Sequence, residues 1–278
     1  MKQINRKPSE SIALRFLYHT VAGRTILKIL VCPFVSKIAG AVLDSKASAA
    51  LIPWFRKKNG ISMEGVIVPK GGFPSFNAFF CRKRRMGCVE ENKALSSPCD
   101  AYLTCIPIHK NQIFDIKHTR FSLQDLLQDK ELAREFTDGI ALIFRLTPSH
   151  YHRYAYAADG RVLSWRRVRG VLHSVRPVCT RKVPVYAQNA REYQVIETKE
   201  LGKIVQMEIG AMMIGHISNE KPVDRKSVRG REKGKFEFGG STIMLLLQKD
   251  CVSLRKEVME AGRDGGELAV SYGESLTE

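Results

Sequence analysis

The chain has 278 residues, of which 44% are hydrophobic and 26% are charged, a composition typical of a globular protein with a sizeable core. Its 45 Lys and Arg residues outnumber 28 Asp and Glu residues, and the formal charge of +17 favours an anionic partner, either nucleic acid or an anionic membrane surface. The seven cysteines include no CxxC pair, which argues against a disulfide framework and a structural zinc site and favours a reducing compartment. We therefore expect no bound metal.

The N-terminal region predicts neither export nor a membrane span. The segment before Ile12 is polar and lacks a cleavage pattern, so we expect no secretory signal. The basic residues Arg15, Arg24, Lys28 and Lys37 interrupt each apolar stretch before it is long enough to cross a bilayer. These features fit a protein that lies on a membrane, and not one that crosses it.

Residues 11–58 predict amphipathic helices, because aliphatic residues alternate with basic ones up to Arg56-Lys57-Lys58. One apolar face with a cationic rim suits an anionic interface. Helices that pack on their own domain have the same pattern, so both interpretations stay open. We predict a boundary here, with residues 1–58 as an N-terminal helical segment and residues 59–278 as a second domain.

A short helix and a basic run are predicted next. Ser75 resembles the N-cap of a helix that carries Phe79 and Phe80, and the run at residues 82–85 follows it. Further basic runs occupy residues 165–169 and 225–235. Each run fits either contact with anionic lipid headgroups or a solvated face.

Beyond residue 95 the pattern predicts mainly strands. The predicted strands are at 102–108, 140–146, 171–175, 203–217 and 242–247. Ser122 and Asp125 have the spacing of a capping box and predict a helix through Leu127. We expect an α+β fold, a strand-rich domain with an N-terminal amphipathic helical layer, and a polar, frayed tail after Gly262.

The most informative segment is Gly239-Gly240-Ser241, directly before the apolar run at 243–247. A continuous apolar run of this kind predicts a buried strand, so Ser241 is expected at a strand entrance. Gly240 has no Cβ that would block approach to its carbonyl. Taken alone, the segment is more typical of an ordinary turn than of a functional site.

Three further segments supply acid–base groups. Asp100 ends the turn Ser97-Pro98-Cys99-Asp100, His152 lies in a segment with two histidines, and His173 lies in an apolar stretch. A serine nucleophile needs a base, and the base needs an orienting carboxylate, so Ser241, a histidine and Asp100 could act together. Spacing in the sequence does not show that they meet, and a histidine alone is more often structural.

Together these motifs resemble the phosphatidylserine decarboxylase family. The resemblance runs in order from about residue 14 to residue 250 and is carried by residues 75–82, 97–100, 151–154, 170–173, 189–193, 207–215 and 238–242. It implies a self-processing enzyme in which Ser241 attacks the Gly240 carbonyl and the chain splits between them. Residues 1–240 then form one subunit, and residue 241 becomes the pyruvoyl group that starts the second.

The implied activity is pyruvoyl-dependent decarboxylation of phosphatidylserine to phosphatidylethanolamine and CO2, a lyase step of phospholipid biosynthesis. The resemblance assigns the proton-donating role to His152 and a self-cleavage role to Asp100. The chain departs from the family at Ala155, where many members carry the histidine of self-cleavage, and at Ala101, where they carry glycine. We predict that His173 replaces the missing base, with His152 as the other candidate.

The same resemblance makes residues 59–278 the catalytic domain and residues 1–58 the membrane-associating segment. We expect phosphatidylserine as substrate, an anionic membrane surface as partner, and a peripheral location on the cytoplasmic face of the cell membrane. Nucleic acid is not expected, since no recognisable nucleic-acid motif occurs. Two alternatives stay open: an inactive relative that is never processed, and a basic nucleic-acid-binding module. The oligomeric state, a homodimer included, also stays open.

Overall fold

The computed structural model describes residues 3–4, 12–85, 89–90, 93–109, 113–116, 119–176, 179, 183–212, 217–237, 241–263 and 266–278. The helices are α1 (Ile12–His19), α2 (Val21–Leu30), α3 (Pro33–Asp44), α4 (Ile52–Asn59), α5 (Phe76–Phe80), α6 (Leu123–Leu127), α7 (Lys130–Glu135), α8 (Val185–Gln188) and α9 (Lys256–Glu260). Short 3-10 helices span Lys46–Leu51 and Val223–Arg225.

The strands are β1 (Gln3–Ile4), β2 (Val66–Ile67), β3 (Lys83–Arg84), β4 (Ala101–Pro107), β5 (Ile113–Ile116), β6 (Thr119–Ser122), β7 (Ile140–Leu146), β8 (Arg153–Ala155), β9 (Gly160–Val168), β10 (Arg191–Glu197), β11 (Lys203–Ile209), β12 (Ile217–Asn219), β13 (Lys226–Ser227), β14 (Glu232–Phe236), β15 (Ser241–Leu247) and β16 (Glu267–Val270). Within the described part of the chain, nine of them form an antiparallel sheet in the order β1-β16-β4-β7-β15-β11-β10-β9-β13. A smaller sheet has the order β12-β14-β8. The expected α+β fold is confirmed.

The apolar run that was predicted as a buried strand is β15, at the centre of the large sheet. It pairs with β7 on one side and with β11 on the other, and every one of its residues is buried. A strand that is covered on both faces needs apolar residues at successive positions, which explains the uninterrupted run. Its first residue is Ser241, at the strand entrance as predicted.

Two predicted strands differ in the structure. The 203–217 segment forms β11 and then, after residues outside the described ranges, β12. At 171–175 only an isolated bridge between Val171 and Asn189 forms. The side chain of Asn189 bonds both the backbone N and O of His173, so an amide side chain takes the place of a neighbouring strand.

The N-terminal helices form a layer that shares two small cores with later parts of the chain. One core contains Phe55, Ile61, Phe76, Phe79, Phe80 and Cys81, and the other contains Tyr18, Leu27, Val31 and Cys179. The opposite faces leave large apolar side chains exposed: Ile12, Phe16, Val21, Ile26, Ile29, Phe34, Ile38, Val42, Leu51 and Trp54. The helices therefore pack on their own domain and also expose an apolar surface. The boundary between residues 58 and 59 stays a prediction.

Among the described residues no single helix is long and apolar enough to cross a membrane, although α2 and α3, bent by 65° to each other, reach that length and composition as a pair.

The expectation of a frayed tail after Gly262 is wrong. β16 pairs with β4, and Leu276 is fully buried in the main core. The backbone of Ser97 bonds Glu274 and Gly273, at 2.8 and 2.9 Å, so the C-terminal residues are tied to the turn that carries Asp100. The polar composition of the residues after Gly262 predicted disorder, but their backbone pairs with distant parts of the chain.

Candidate active site

Ser241 lies at one end of the large sheet, where β7 and β11 end and β15 begins. It pairs with Leu146, the last residue of β7, and Thr242 pairs with Ile209, the last residue of β11. Ser241 is fully buried, and its Oγ has no hydrogen-bond partner among the described residues. A buried hydroxyl without a partner costs roughly 1–3 kcal/mol and calls for an explanation. The predicted cleavage partner, Gly240, lies outside the described residues.

His152 is held next to the strand that leads to Ser241. The N–H of Phe236, the last residue of β14, donates to the His152 carbonyl at 2.8 Å. The imidazole is fully buried and packs on the Phe80 ring, with 4.0 Å between centroids. Its Nδ1 is 2.9 Å from the His150 carbonyl oxygen, which can only accept, so Nδ1 carries the hydrogen. In the neutral ring Nε2 is then the basic nitrogen, which suits the exchange of a proton.

His173 is linked through Asn189 to the end of β11, next to the start of β15. Asn189 donates from Nδ2 to the carbonyls of His173, at 2.8 Å, and Gly210, at 2.7 Å. Gly210 follows β11, the strand next to the start of β15. The Nδ1 of His173 is 3.1 Å from the Tyr18 hydroxyl of α1. Burial lowers the pKa of His173, so the ring is neutral near neutral pH.

Asp100 is fixed by a cation and by the C-terminal segment. Its Oδ1 accepts hydrogen bonds from Arg84 Nη2 at 2.9 Å and from the Tyr272 N–H at 2.8 Å. Its Oδ2 lies 2.8 Å from Arg84 Nη1, which completes a two-point contact. Such charge-assisted bonds hold the carboxylate in one orientation. The structure thus joins Asp100 to Arg84 and brings Ser241, His152 and His173 to one end of the sheet.

Ala155, where the resemblance implies a histidine in many relatives, is buried between two neighbouring segments. Its N–H donates to the Pro98 carbonyl, at 2.8 Å, and its own carbonyl accepts from Gln206 Nε2, also at 2.8 Å. The position therefore lies beside the Asp100 turn. Alanine has no basic side chain, so this position supplies no base beside the Asp100 turn.

The sequence reasoning missed His150 as a neighbour of this site. Its Nδ1 accepts the N–H of Thr147, at 3.2 Å, and Thr147 directly follows the Leu146 that pairs with Ser241. Burial lowers the pKa of His150 to about 4, although Asp100 opposes the shift, so the ring is neutral near neutral pH. A histidine two residues before His152 was the available signal, and it marked the segment without marking the residue.

A fully buried ion pair fixes β14, the strand before the site, against β11. Lys233 and Glu208 have no exposed side-chain surface, and Lys233 Nζ donates to Glu208 and to Asn219. Asn219 also donates to Glu208 and Glu192, at 3.1 and 2.6 Å. Burial is the main effect on Glu208 and raises its pKa, while Lys233 opposes this shift. No local sequence pattern predicts this pairing, because Lys233 and Glu208 are 25 residues apart in the chain.

Comparison with known proteins gives a consistent result. The family model described as phosphatidylserine decarboxylase matches residues 76–278. The phosphatidylserine decarboxylase proenzyme 2 of Clostridium acetobutylicum is 36% identical over 269 residues, covering 95% of this chain and 91% of that protein. The phosphatidylserine decarboxylase proenzyme of Ruminiclostridium cellulolyticum is 36% identical over 270 residues, covering 95% and 90%. The proenzyme of that name from Chlamydia muridarum is 34% identical over 273 residues, covering 96% and 90%.

The buried ion pair leads to a prediction about stability. Lys233→Met leaves the Glu208 carboxylate buried without its cation, so we expect a loss of about 3–5 kcal/mol in the free energy of unfolding, measured by urea denaturation. Adding Glu208→Gln to this variant should recover part of the loss. Lys249→Met, which removes an exposed cation, is the matched control and should change stability by less than about 0.5 kcal/mol. Equal stability of Lys233→Met and Lys249→Met would contradict a stabilising role for the buried ion pair.

Proposed function

Because the chain belongs to the phosphatidylserine decarboxylase family, we propose that it converts phosphatidylserine to phosphatidylethanolamine and CO2. The family membership confirms the resemblance that the sequence motifs carry. The relatives are named proenzymes, and we propose the corresponding processing for this chain, a split between Gly240 and Ser241. The observation that carries the proposal is the buried Ser241 hydroxyl, without a hydrogen-bond partner among the described residues, at the start of β15.

Processing uses the chain's own serine. Ser241 Oγ loses its proton to a base and attacks the Gly240 carbonyl, so an ester replaces the peptide bond. Removal of the Ser241 Cα proton then breaks the Cβ–O bond, leaving the Gly240 carboxylate as one chain end. Water replaces the nitrogen of residue 241, which departs as ammonia, and residue 241 is left as a pyruvoyl group. For the base we retain His173 as the proposal, with His152 as the competing candidate.

The pyruvoyl group, derived from Ser241, supplies a carbonyl that takes up the substrate amine and the electrons released with CO2. The residues here fit such a group, since the Ser241 hydroxyl is buried and no described side chain is committed to it. The role of His152 is to deliver a proton to the substrate carbon that has lost its carboxylate. Its hydrogen bond from Nδ1 to the His150 carbonyl and its contact with Phe80 orient the ring for that transfer.

An anionic membrane surface is the proposed partner, with the protein peripheral on the cytoplasmic face of the cell membrane. The apolar residues exposed on α1–α4 would enter the interface, and basic residues on the same helices would contact anionic headgroups. A basic side chain near such a surface contributes about 1 kcal/mol. Lys58 Nζ lies over the Trp54 ring, 4.6 Å from its centroid, which places a cation beside an exposed aromatic residue.

We predict that wild-type protein separates into two chains on a denaturing gel and that Ser241→Ala stays whole, because alanine lacks the attacking oxygen. Asp100→Asn and His173→Ala should both slow the split. Normal splitting of His173→Ala together with loss of splitting in His152→Ala would assign the base to His152. Wild-type chain that remains whole after prolonged incubation would favour an unprocessed, inactive relative.

We predict that His152→Ala still splits but releases CO2 from phosphatidylserine about 10²–10⁴-fold more slowly, because the proton donor is missing. The measurement is release of labelled carboxyl carbon per mole of pyruvoyl group, so that incomplete processing does not lower the value. His109→Ala, which changes an exposed histidine, is the matched control and should keep normal turnover. Wild-type turnover in His152→Ala would remove His152 from the mechanism.

We predict that binding to vesicles with anionic lipid exceeds binding to neutral vesicles and weakens as salt rises, since salt screens surface charges. Replacing Phe34 and Trp54 with serine should weaken vesicle binding at least about tenfold, because two large apolar side chains no longer enter the interface. Val223→Ser, exposed outside the helical layer, is the control and should bind normally. Tighter binding to duplex DNA than to anionic vesicles at equal salt would instead favour the nucleic-acid alternative.

A further inference from the structure

A cleft of about 440 Å³ lies between the loop that follows the N-terminal helices and the segments that carry Asp100 and Tyr151. The loop at residues 62–66, which follows α4, lines one side. The other side carries three arginines, Arg82, Arg84 and Arg85, together with Asp100 and Tyr151. We call it the arginine cleft. Three arginines and two carboxylates, Glu64 and Asp100, line the cleft, so its lining carries a net positive charge that suits an anion.

Arg82 is buried in the cleft with part of its hydrogen-bonding capacity unused among the described residues. The residue is only 6% exposed, and its Nη1 has no hydrogen-bond partner among the described residues. Its guanidinium lies over the Phe79 ring, 5.1 Å from the centroid. The carboxylate of Asp100 is already engaged by both terminal nitrogens of Arg84. A buried guanidinium with one nitrogen unpaired among the described residues is costly, so a ligand with negative charge would complete the site.

The chain holds Arg82 beside the residues of the proposed reaction. Arg82 follows α5, and its N–H bonds the Phe79 carbonyl at 3.1 Å. The carbonyl of Cys81, the residue before Arg82, accepts a hydrogen bond from Arg153 Nε at 2.8 Å. Phe80, the last residue of α5, packs on the His152 ring. The segment that carries His152 is therefore fixed on the segment that carries Arg82, and Tyr151 lines the cleft directly.

We propose that the arginine cleft binds the phosphodiester of the substrate headgroup, an inference that rests on the proposed function. The substrate has two anionic groups, and its carboxylate leaves as neutral CO2. A guanidinium held on that carboxylate would stabilise the ground state more than the transition state and slow the reaction. The phosphodiester keeps its charge throughout, and its oxygens match the planar donors of arginine.

The position of the cleft agrees with this assignment. In a phospholipid the phosphodiester connects the reacting serine to the acyl chains, so its site must lie between the chemistry and the lipid surface. The arginine cleft has Tyr151, next to His152, on one side and the loop after α4 on the other. The helices before that loop carry the exposed apolar residues.

The test measures binding in a chain that performs no chemistry. In the Ser241→Ala background, the affinity for glycerophosphoserine is measured by isothermal titration. Arg82→Gln should lower it at least about tenfold, since a hydrogen bond to a charged group is lost. Arg82→Lys keeps the charge but loses the planar donors, so its affinity should lie between those of the Arg82 chain and Arg82→Gln. Lys83→Gln removes an exposed cation one residue away, outside the cleft, and should change the affinity less than about twofold.

Two further ligands, free serine and inorganic phosphate, show whether the cleft recognises the lipid headgroup or free phosphate. Free serine should bind with an affinity that Arg82→Gln leaves unchanged. If inorganic phosphate binds as tightly as glycerophosphoserine, the cleft is a site for free phosphate and the headgroup assignment is overturned. Absence of glycerophosphoserine binding, or equal binding by Arg82→Gln and Lys83→Gln, also overturns it.

A thermal shift excludes misfolding as the cause of lost binding. Glycerophosphoserine should raise the melting temperature of the Ser241→Ala chain and not that of its Arg82→Gln derivative, while the ligand-free melting temperatures stay close. A failure of the proposed function has a different signature: the wild-type chain would not split or release CO2, whatever the binding results. If the wild-type chain turns over normally and Arg82→Gln does not change glycerophosphoserine binding, the headgroup assignment of the arginine cleft is wrong and the proposed function still stands.

Discussion

The pairing of β15 with strands on both sides is the constraint from which the site follows. The register of β15 with β7 and β11 places Ser241 in the terminal pair that the described residues form at this end of the strand. The apolar residues of β15 are all buried, so the strand cannot shift without exposing them or displacing both neighbours. Ser241 is thereby fixed in a dry environment with its hydroxyl uncommitted among the described residues. We interpret this arrangement as a serine held for one reaction on its own backbone.

Around this point the protein uses polar contacts between distant segments to keep groups in place. The Lys233–Glu208 pair ties β14 to β11, Asn189 ties His173 to Gly210, and Arg84 holds Asp100. Each contact satisfies groups that would otherwise be costly to bury. These residues act on the site through others: they determine where the histidines and the serine lie. The N-terminal layer adds the exposed apolar residues, and the loop that follows it forms one wall of the arginine cleft.

The sequence predicted the elements whose causes are local. The central strand follows from an apolar run, α5 begins at the N-cap Ser75, and the helix at Ser122 has the predicted capping box. Sequence motifs identified the four candidate site residues Ser241, Asp100, His152 and His173. Motifs indicate which residue types take part in a reaction but not which residues are in contact. The role assigned to each of them stays a prediction.

The remaining features depend on contacts between segments far apart in the chain, which no local pattern encodes. The Tyr272 N–H reaches Asp100 because the C-terminal segment pairs with the sheet, and a polar composition predicted the opposite. Arg82 was visible only as part of a basic run, and its burial depends on α5 packing under the N-terminal layer. The pattern of residues 171–175 predicted a strand, but the Asn189 side chain takes those backbone bonds.

The central claim is that Ser241 is consumed to make the reactive group of the enzyme. The most direct measurement is the intact mass of the smaller chain after denaturation, with its N-terminal sequence tested by stepwise degradation. The account predicts a chain that begins at residue 241, resists degradation, and is lighter by the mass of ammonia than the same chain with an intact serine. A smaller chain with a free N-terminal serine, or a single chain of full mass, would contradict it.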